Sequence, residues 1–504
     1  MRLPLALAAI VGVAIVAIWA WLGHPVQAPS SPLAAGEKLP CVSYAPFRPG
    51  QSPFMEGLVI PAEQIDDDFA RLAKITHCVR TYSTEMGLHV VPELARKHGL
   101  TVLQGIWIGR NRDNNRIEID AAVKAAQENP DVIKAVIVGN EVLLRGEQSA
   151  VDLAALIKDV RAKVPPQVQV TYADVWEFWE RNRDLASSVD FVTVHILPFW
   201  EDLPVPAEDS IAHLGEIREH VGQVFAGKDI LIGETGWPSE GRMREGALPS
   251  PSNQARVIQE LLALAKAKNY RLNVIEAFDQ PWKRASEGTV GGHWGFLDAY
   301  TRDFKFAWGE PVSDHPHWLL QALGGVIFAG AIFGAGVLGR RRAGAAALET
   351  RQWAAIAGIA FFSGLLYGRL VTTVSIESLG IGGWGWQTGS TGLEKLVAFL
   401  LAASVVLAVQ IAFGLVFDPR YKDFQFAGLT PIIAAFAFYA LVAPAQRASE
   451  GRQAELLAAA IFLGCGLYIP INETFANWQG LWTGGLLLVL SLTLWRLATA
   501  GRTR

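Results

Sequence analysis

The chain has 504 residues, too many for one ordinary domain, and 51% of them are hydrophobic against 18% charged. A net charge of −4 leaves no basic footprint for nucleic acid, and three cysteines exclude a disulfide-rich scaffold. No Cys/His spacing of a metal site is present, so neither a metal nor another cofactor is expected.

Residues 1–28 read as a signal anchor or signal peptide. The apolar run 3–22 follows a single Arg2 and is long enough to span a bilayer, whereas Val26-Gln-Ala28 resembles a cleavage site. The length of the run favours an uncleaved anchor, and on either reading the following chain is exported. Residues 29–39, in a stretch rich in Pro, Ser, Gly and Ala, form a linker.

Over residues 40–312 short aliphatic strands alternate with amphipathic helices. Strands are predicted at Val42–Phe47, Cys78–Tyr82, Val102–Ile108, Ile133–Val138, Val168–Ala173, Phe191–Ile196, Ile230–Ile232 and Val274–Phe278, with helical patterns such as Ile65–Lys74, Ala150–Lys163, Ile211–Val221 and Asn253–Lys268. Eight such units predict an α/β fold, a (β/α)8 TIM barrel; an open doubly wound sheet competes, but no Gly-rich phosphate turn follows the first strand. Cys41 and Cys78 each begin a strand. A disulfide between them is compatible with an oxidising compartment, and two buried thiols are the favoured reading. Asp66-Asp-Asp68 reads as the acidic first turn of a helix.

Residues 313–504 change character. Candidate spans at 317–338, 353–375, 394–417, 424–443, 454–470 and 479–497 predict an all-α transmembrane domain in the cell (inner) membrane. Arg340-Arg-Arg342 marks a cytoplasmic side, which places the barrel on the periplasmic or extracellular side. Pro431 makes the fourth span a candidate re-entrant segment. Trp384 and Trp386 lie in a Gly-rich loop expected at the external interface.

Two stretches carry the chemistry. Val136-Ile-Val-Gly-Asn-Glu141 and Ile230-Leu-Ile-Gly-Glu-Thr-Gly-Trp-Pro-Ser239 each end an aliphatic strand on a glutamate, beside Asn140 in one case and Trp237 in the other. Two strand-end carboxylates with polar and aromatic neighbours suit glycoside hydrolysis, which needs an acid/base and a second carboxylate. The alternative is a pair of ion-paired carboxylates at the barrel rim. Other polar and aromatic residues gather at strand ends: Tyr44, Tyr82, Trp107, Asp174, His195 and Gln280.

Gly139-Asn-Glu141 and Gly233-Glu-Thr-Gly-Trp-Pro-Ser239, with Val42-Ser-Tyr-Ala-Pro-Phe47, Arg80-Thr-Tyr82 and Phe278-Asp-Gln-Pro-Trp-Lys283, resemble the signatures of glycoside hydrolase family 17 over roughly residues 40–308. The resemblance implies a retaining double displacement on β-1,3-glucan, with Glu141 as acid/base and Glu234 as nucleophile. A retaining pair sits about 5–5.5 Å apart, and its acid must hold a proton near neutral pH, which burial and the second carboxylate would favour. Asn140 would meet the sugar 2-hydroxyl or orient the nucleophile. Tyr44 and Tyr82 are candidates to hold the sugar or the nucleophile, with core packing as the alternative. His195 is a site residue or a satisfied core histidine. Trp237 and Trp282 are candidate sugar platforms, and Lys283 keeps a basic residue found in plant relatives, although Gln280-Pro-Trp282 replaces part of their pattern. Competing readings are a transglycosylase in β-glucan synthesis, with a membrane glucan synthase as partner, a catalytically dead glucan-binding sensor, and a glucan exporter.

Overall fold

The computed structural model describes residues 2–342, 350–377 and 452–499. They fall into two compact units, one of Gln27–Ser239 with Ala247–Val312 and the other of Met1–Val26, Glu240–Gly246 and Ser313–Arg504.

The first unit is built on eight parallel strands in sequential order: β1 Val42–Ser43, β2 Cys78–Arg80, β3 Thr101–Ile106, β4 Ile133–Asn140, β5 Gln169–Val175, β6 Val192–His195, β7 Ile230–Glu234 and β8 Arg271–Leu272. A bridge from Val42 to Val274 curls the sheet shut, with Val274 N–H donating to Cys41 and Ser43 N–H to Val274. The result is a (β/α)8 barrel. Val42, Val79, Val136, Val170, Val192 and Ile232 face outward into one core with Ile65, Phe69, Ile119, Leu153, Ile157 and Ile258 from the surrounding helices. Alternate residues face inward: Cys41, Cys78, Leu103, Ala135, Ile137, Ala173, Phe191 and Leu231 pack as a second cluster. Above that layer the inward positions turn polar, with Ser43, Arg80, Thr171, Thr193, His195 and Asn273 all buried. The floor of the barrel closes the core and its C-terminal mouth holds the chemistry.

Several expectations change here. Cys41 and Cys78 form a disulfide, not two thiols: the pairing of Val42 with Val79 puts the preceding residues side by side, with Cα atoms 4.4 Å apart. The aliphatic run Val274–Phe278 is not a strand; β8 lies earlier, and beyond Val274 the run keeps single hydrogen bonds, from Ile275 N–H to Thr235 and from Ala277 N–H to Ser43. Asp66–Asp68 sit inside the helix Ala62–Leu72, whose first turn carries Glu63. There they serve three partner sets, Asp66 with Lys97 and His98, Asp67 with Arg48 and Arg71, and Asp68 with Arg48 and Arg302.

In the second unit the helix Arg2–Leu22 packs through Val11, Ile15 and Trp19 against the helices Trp318–Arg342 and Thr350–Glu377. Gly325 and Gly364 make the approach of two helices close, since a Cβ on Gly325 would lie 2.6 Å from the Gly364 carbonyl oxygen. The helices Arg452–Asn472 and Trp478–Thr499 form a further pair. Among the described residues one helix, Arg2–Leu22, is long and apolar enough to cross a membrane; Trp318–Gly334, Ile356–Arg369 and Leu456–Asn472 are shorter apolar stretches. The spans expected at 394–417 and 424–443, with Trp384, Trp386 and Pro431, lie outside the described residues.

Candidate active site

β4 delivers Glu141 through an unusual backbone. Gly139 has φ 91° and Glu141 itself φ 53°, a left-handed conformation that a glutamate adopts only where its surroundings enforce it. The surroundings are visible: Glu141 N–H donates to Ala173 at 2.8 Å, and Asp174 accepts the N–H groups of Leu143 and Leu144. Asp174, singled out as a strand-end residue, thus holds the turn that presents Glu141. β7 delivers Glu234 beside Gly233, where a Cβ would lie 2.4 Å from the Thr193 methyl carbon, so the strand needs glycine to approach β6.

The two carboxylates meet over the barrel mouth. One oxygen of each and a ring nitrogen of His195 all lie within 4.8 Å of one another. Glu234 is gripped: the Tyr82 hydroxyl is 2.8 Å from its Oε1 and the Arg80 guanidinium 3.1 Å away. Burial and then the charge of Glu234 push the Tyr82 phenol well above its ordinary pKa, so it stays protonated and donates. Arg80, fully buried, also donates to the Gly233 carbonyl at 2.7 Å and to Asn140 Oδ1, tying β2, β4 and β7 together. Its planar fork makes this three-way link possible.

His195 lies between the glutamates. Its Nδ1 is 3.0 Å from Glu141 Oε1 and its Nε2 is 3.7 Å from Glu234 Oε1, with no hydrogen-bond partner for Nε2 among the described residues. Burial works to raise the Glu141 pKa, but the hydrogen bond and charge of His195, with Arg145 and Arg80 behind it, outweigh burial and hold it below the usual value. That differs from the raised pKa expected of an acid. By donor type the three side chains would also suit a divalent cation, although Arg80 already neutralises Glu234.

Glu276 and Lys283 form a buried ion pair after β8, with Nζ 2.9 Å from Oε2. Burial, against the pull of Lys283, pushes Glu276 up to about 7.

A family model for the BtgE/BtgC glycoside hydrolase domain matches residues 41–295. The chain belongs to the BtgE/BtgC glycoside hydrolase family. It is 30% identical over 285 residues to a glucan 1,3-beta-glucosidase of Arthroderma benhamiae, covering 52% of this chain and 90% of that one. It is 28% identical over 253 residues to a probable beta-glucosidase btgE of Aspergillus flavus, covering 49% of this chain and only 41% of the fungal protein. Among solved structures, a glycoside hydrolase family 17 β-1,3-glucanosyltransferase from Rhizomucor miehei is 27% identical, covering 53% of this chain and 96% of that one with a TM-score of 0.47. An active-site mutant of the Rhizomucor enzyme in complex with laminaritriose is 26% identical, covering 54% and 98%, with a TM-score of 0.48.

Of the residues singled out from sequence, the glycosidase fold brings Glu141, Glu234, Tyr82, Asn140 and His195 together and places Lys283 against Glu276. It does not bring Tyr44 there. Strand alternation turns Tyr44 outward, where its hydroxyl donates to Asp68 at 2.9 Å and its ring packs on Phe69. Trp237 offers no open face either; it is fully buried, edge-on to Phe199, with its N–H donated to Leu248. Trp282 sits at the rim with Phe47 and Phe54, its N–H on Gln280. Sequence reasoning left Arg80 and Glu276 without a role. Both carried a signal: a charged residue inside a short buried run, as at Glu234.

Proposed function

We propose that the chain is a retaining glycosidase acting on β-1,3-glucan by double displacement. The observation that carries this is the separation of the two carboxylates, within 4.8 Å oxygen to oxygen, which suits a retaining pair and leaves no room for the water of an inverting one at about 6.5–9.5 Å. Glu234, fixed by Tyr82 and Arg80, attacks the anomeric carbon and the glycosidic bond breaks as Glu141 protonates the departing oxygen. Water then attacks the glycosyl-enzyme while Glu141 takes its proton. The contact of His195 Nδ1 with Glu141 Oε1, at 3.0 Å, is where the proton for the first step is held. Asn140, its Oδ1 held by Arg80, keeps its amide N–H groups for a sugar hydroxyl. The substrate follows from the named activities of the relatives. An acceptor sugar in place of water would turn the same intermediate into a transfer product, the alternative being a β-1,3-glucan transglycosylase. Azide added to Glu234→Ala should restore turnover and yield a glycosyl azide of inverted configuration. Full activity of that variant without azide would overturn the reading.

We propose further that the enzyme is a multi-pass protein of the cell membrane with its barrel on the periplasmic or extracellular side, beside a membrane glucan synthase. In support, Arg2–Leu22 is long enough to span. The Cys41–Cys78 disulfide suits an oxidising compartment. Leu319, Ile327, Phe362, Leu463, Ile471 and Leu492 on the C-terminal helices expose apolar surface, as lipid-facing helices do. In intact cells an impermeant thiol reagent should label Val151→Cys on the barrel surface and spare Arg341→Cys; the reverse pattern would refute this topology.

A further inference from the structure

Trp107 directly follows β3 and is 44% exposed, while the next residue, Ile108, is fully buried. A single exposed aromatic needs no explanation. This one is different because its other face is built. The Arg145 guanidinium carbon lies 4.4 Å from the ring centroid. Arg145 is itself pinned, donating to the carbonyls of Asn140 and Ile108 and holding Glu147 through Nε at 2.9 Å and Nη2 at 2.7 Å. The indole therefore rests on a fixed cation while Trp107 remains partly open to solvent, a platform whose ordering cost is already met before a ligand arrives.

Its place in the barrel decides what it would meet. Arg145 N–H donates to the Glu141 carbonyl at 2.9 Å, so the platform and the acid share one turn. In a barrel of eight sequential strands β3 stands across the mouth from β7, which carries Glu234. In a displacement the leaving oxygen departs on the side of the anomeric carbon away from the nucleophile. The sugar bonded to that oxygen then extends toward β3 and β4.

We propose that Trp107, backed by Arg145, is the stacking platform for the glucosyl unit on the leaving-group side, and hence for an acceptor sugar entering the same place. The ligand is a neutral β-linked pyranose lying with its apolar C–H face on the indole. This rests on the retaining glucanase reading above.

The test uses the detergent-solubilised full chain and compares kcat/KM for a β-1,3-linked glucotriose with that for an aryl β-glucoside, whose leaving group needs no sugar platform. Trp107→Ala should lower the ratio of the two by about tenfold or more, and Trp107→Phe should recover part of it. An equal loss on both substrates, as from a structural defect, or an unchanged ratio would overturn the proposal. So would a loss that grows with the number of glucosyl units on the non-reducing side of the cleaved bond. A wild-type protein that turns over no β-linked gluco-oligosaccharide would sink the functional reading instead, and that result shows in the wild type before any variant is made.

Discussion

The ends of β4 and β7 solve opposite problems with the same side chain. Glu234 is the last residue of β7 and keeps its extended backbone, its side chain is only 7% exposed, and Tyr82 and Arg80 hold it in place. Glu141 sits on a left-handed backbone, its side chain is 24% exposed, and His195 is its one hydrogen-bonding side-chain partner among the described contacts. A nucleophile must be aimed at one atom, and a rigid polar cage does that. An acid/base must give a proton in one step and take one in the next, which favours an open carboxylate beside a proton-sharing ring.

This contrast can be broken in graded ways. The largest effect is expected from the carboxylates: Glu234→Gln should lower kcat by about 10⁴-fold or more on every substrate, whereas the loss in Glu141→Gln should shrink for an activated aryl leaving group that needs no proton. Equal losses on both kinds of substrate would mean the roles are misassigned. Next comes the cage. Arg80→Lys cannot span Gly233, Glu234 and Asn140 together, so kcat should fall by about 10²-fold with the melting temperature less affected. A smaller effect is predicted for His195→Gln. Removing the partner that does most to hold the Glu141 pKa down leaves only Arg145 and Arg80 against burial, so that pKa rises. The acid then stays protonated to higher pH, and the alkaline limb of kcat/KM should move upward; a downward move would contradict the assigned couple. The smallest concerns stability. Glu276 has a folded pKa of about 7 against an ordinary 4.5, so the folded state keeps a proton that the unfolded chain releases. Its contribution is complete below about 4.5 and is lost as the pH rises through about 7, and Glu276→Gln should flatten that slope in denaturant titrations.

Much of the layout was legible because barrels repeat. The aliphatic runs at β4 and β7 are long, bounded by Gly, and end on an acid, so both position and chemistry could be read. What period-2 patterning does not state is which face points inward. Val42 and Tyr44 share one face of β1 and Cys41 and Ser43 the other, and only the closed sheet sends Tyr44 to Asp68. The same ambiguity hid the disulfide, which needs the register of β1 against β2. The run from Val274 looks like a strand by composition, yet it meets β1 only at Val274 and Ala277, and Glu276 between them turns to Lys283. Trp237 follows Gly236, where a Cβ would lie 2.4 Å from the Ile275 carbonyl oxygen. That close packing carries the indole into the aromatic cluster with Phe199, which no spacing in the chain announces.

The central claim is that Glu234 and Glu141 act as a retaining pair. Proton NMR of the first product released from β-1,3-gluco-oligosaccharides by the full-length protein tests it most directly. The β-anomer should appear first and then equilibrate with the α-anomer. Release of the α-anomer first would contradict the account, since it would mean a single displacement despite carboxylates this close together.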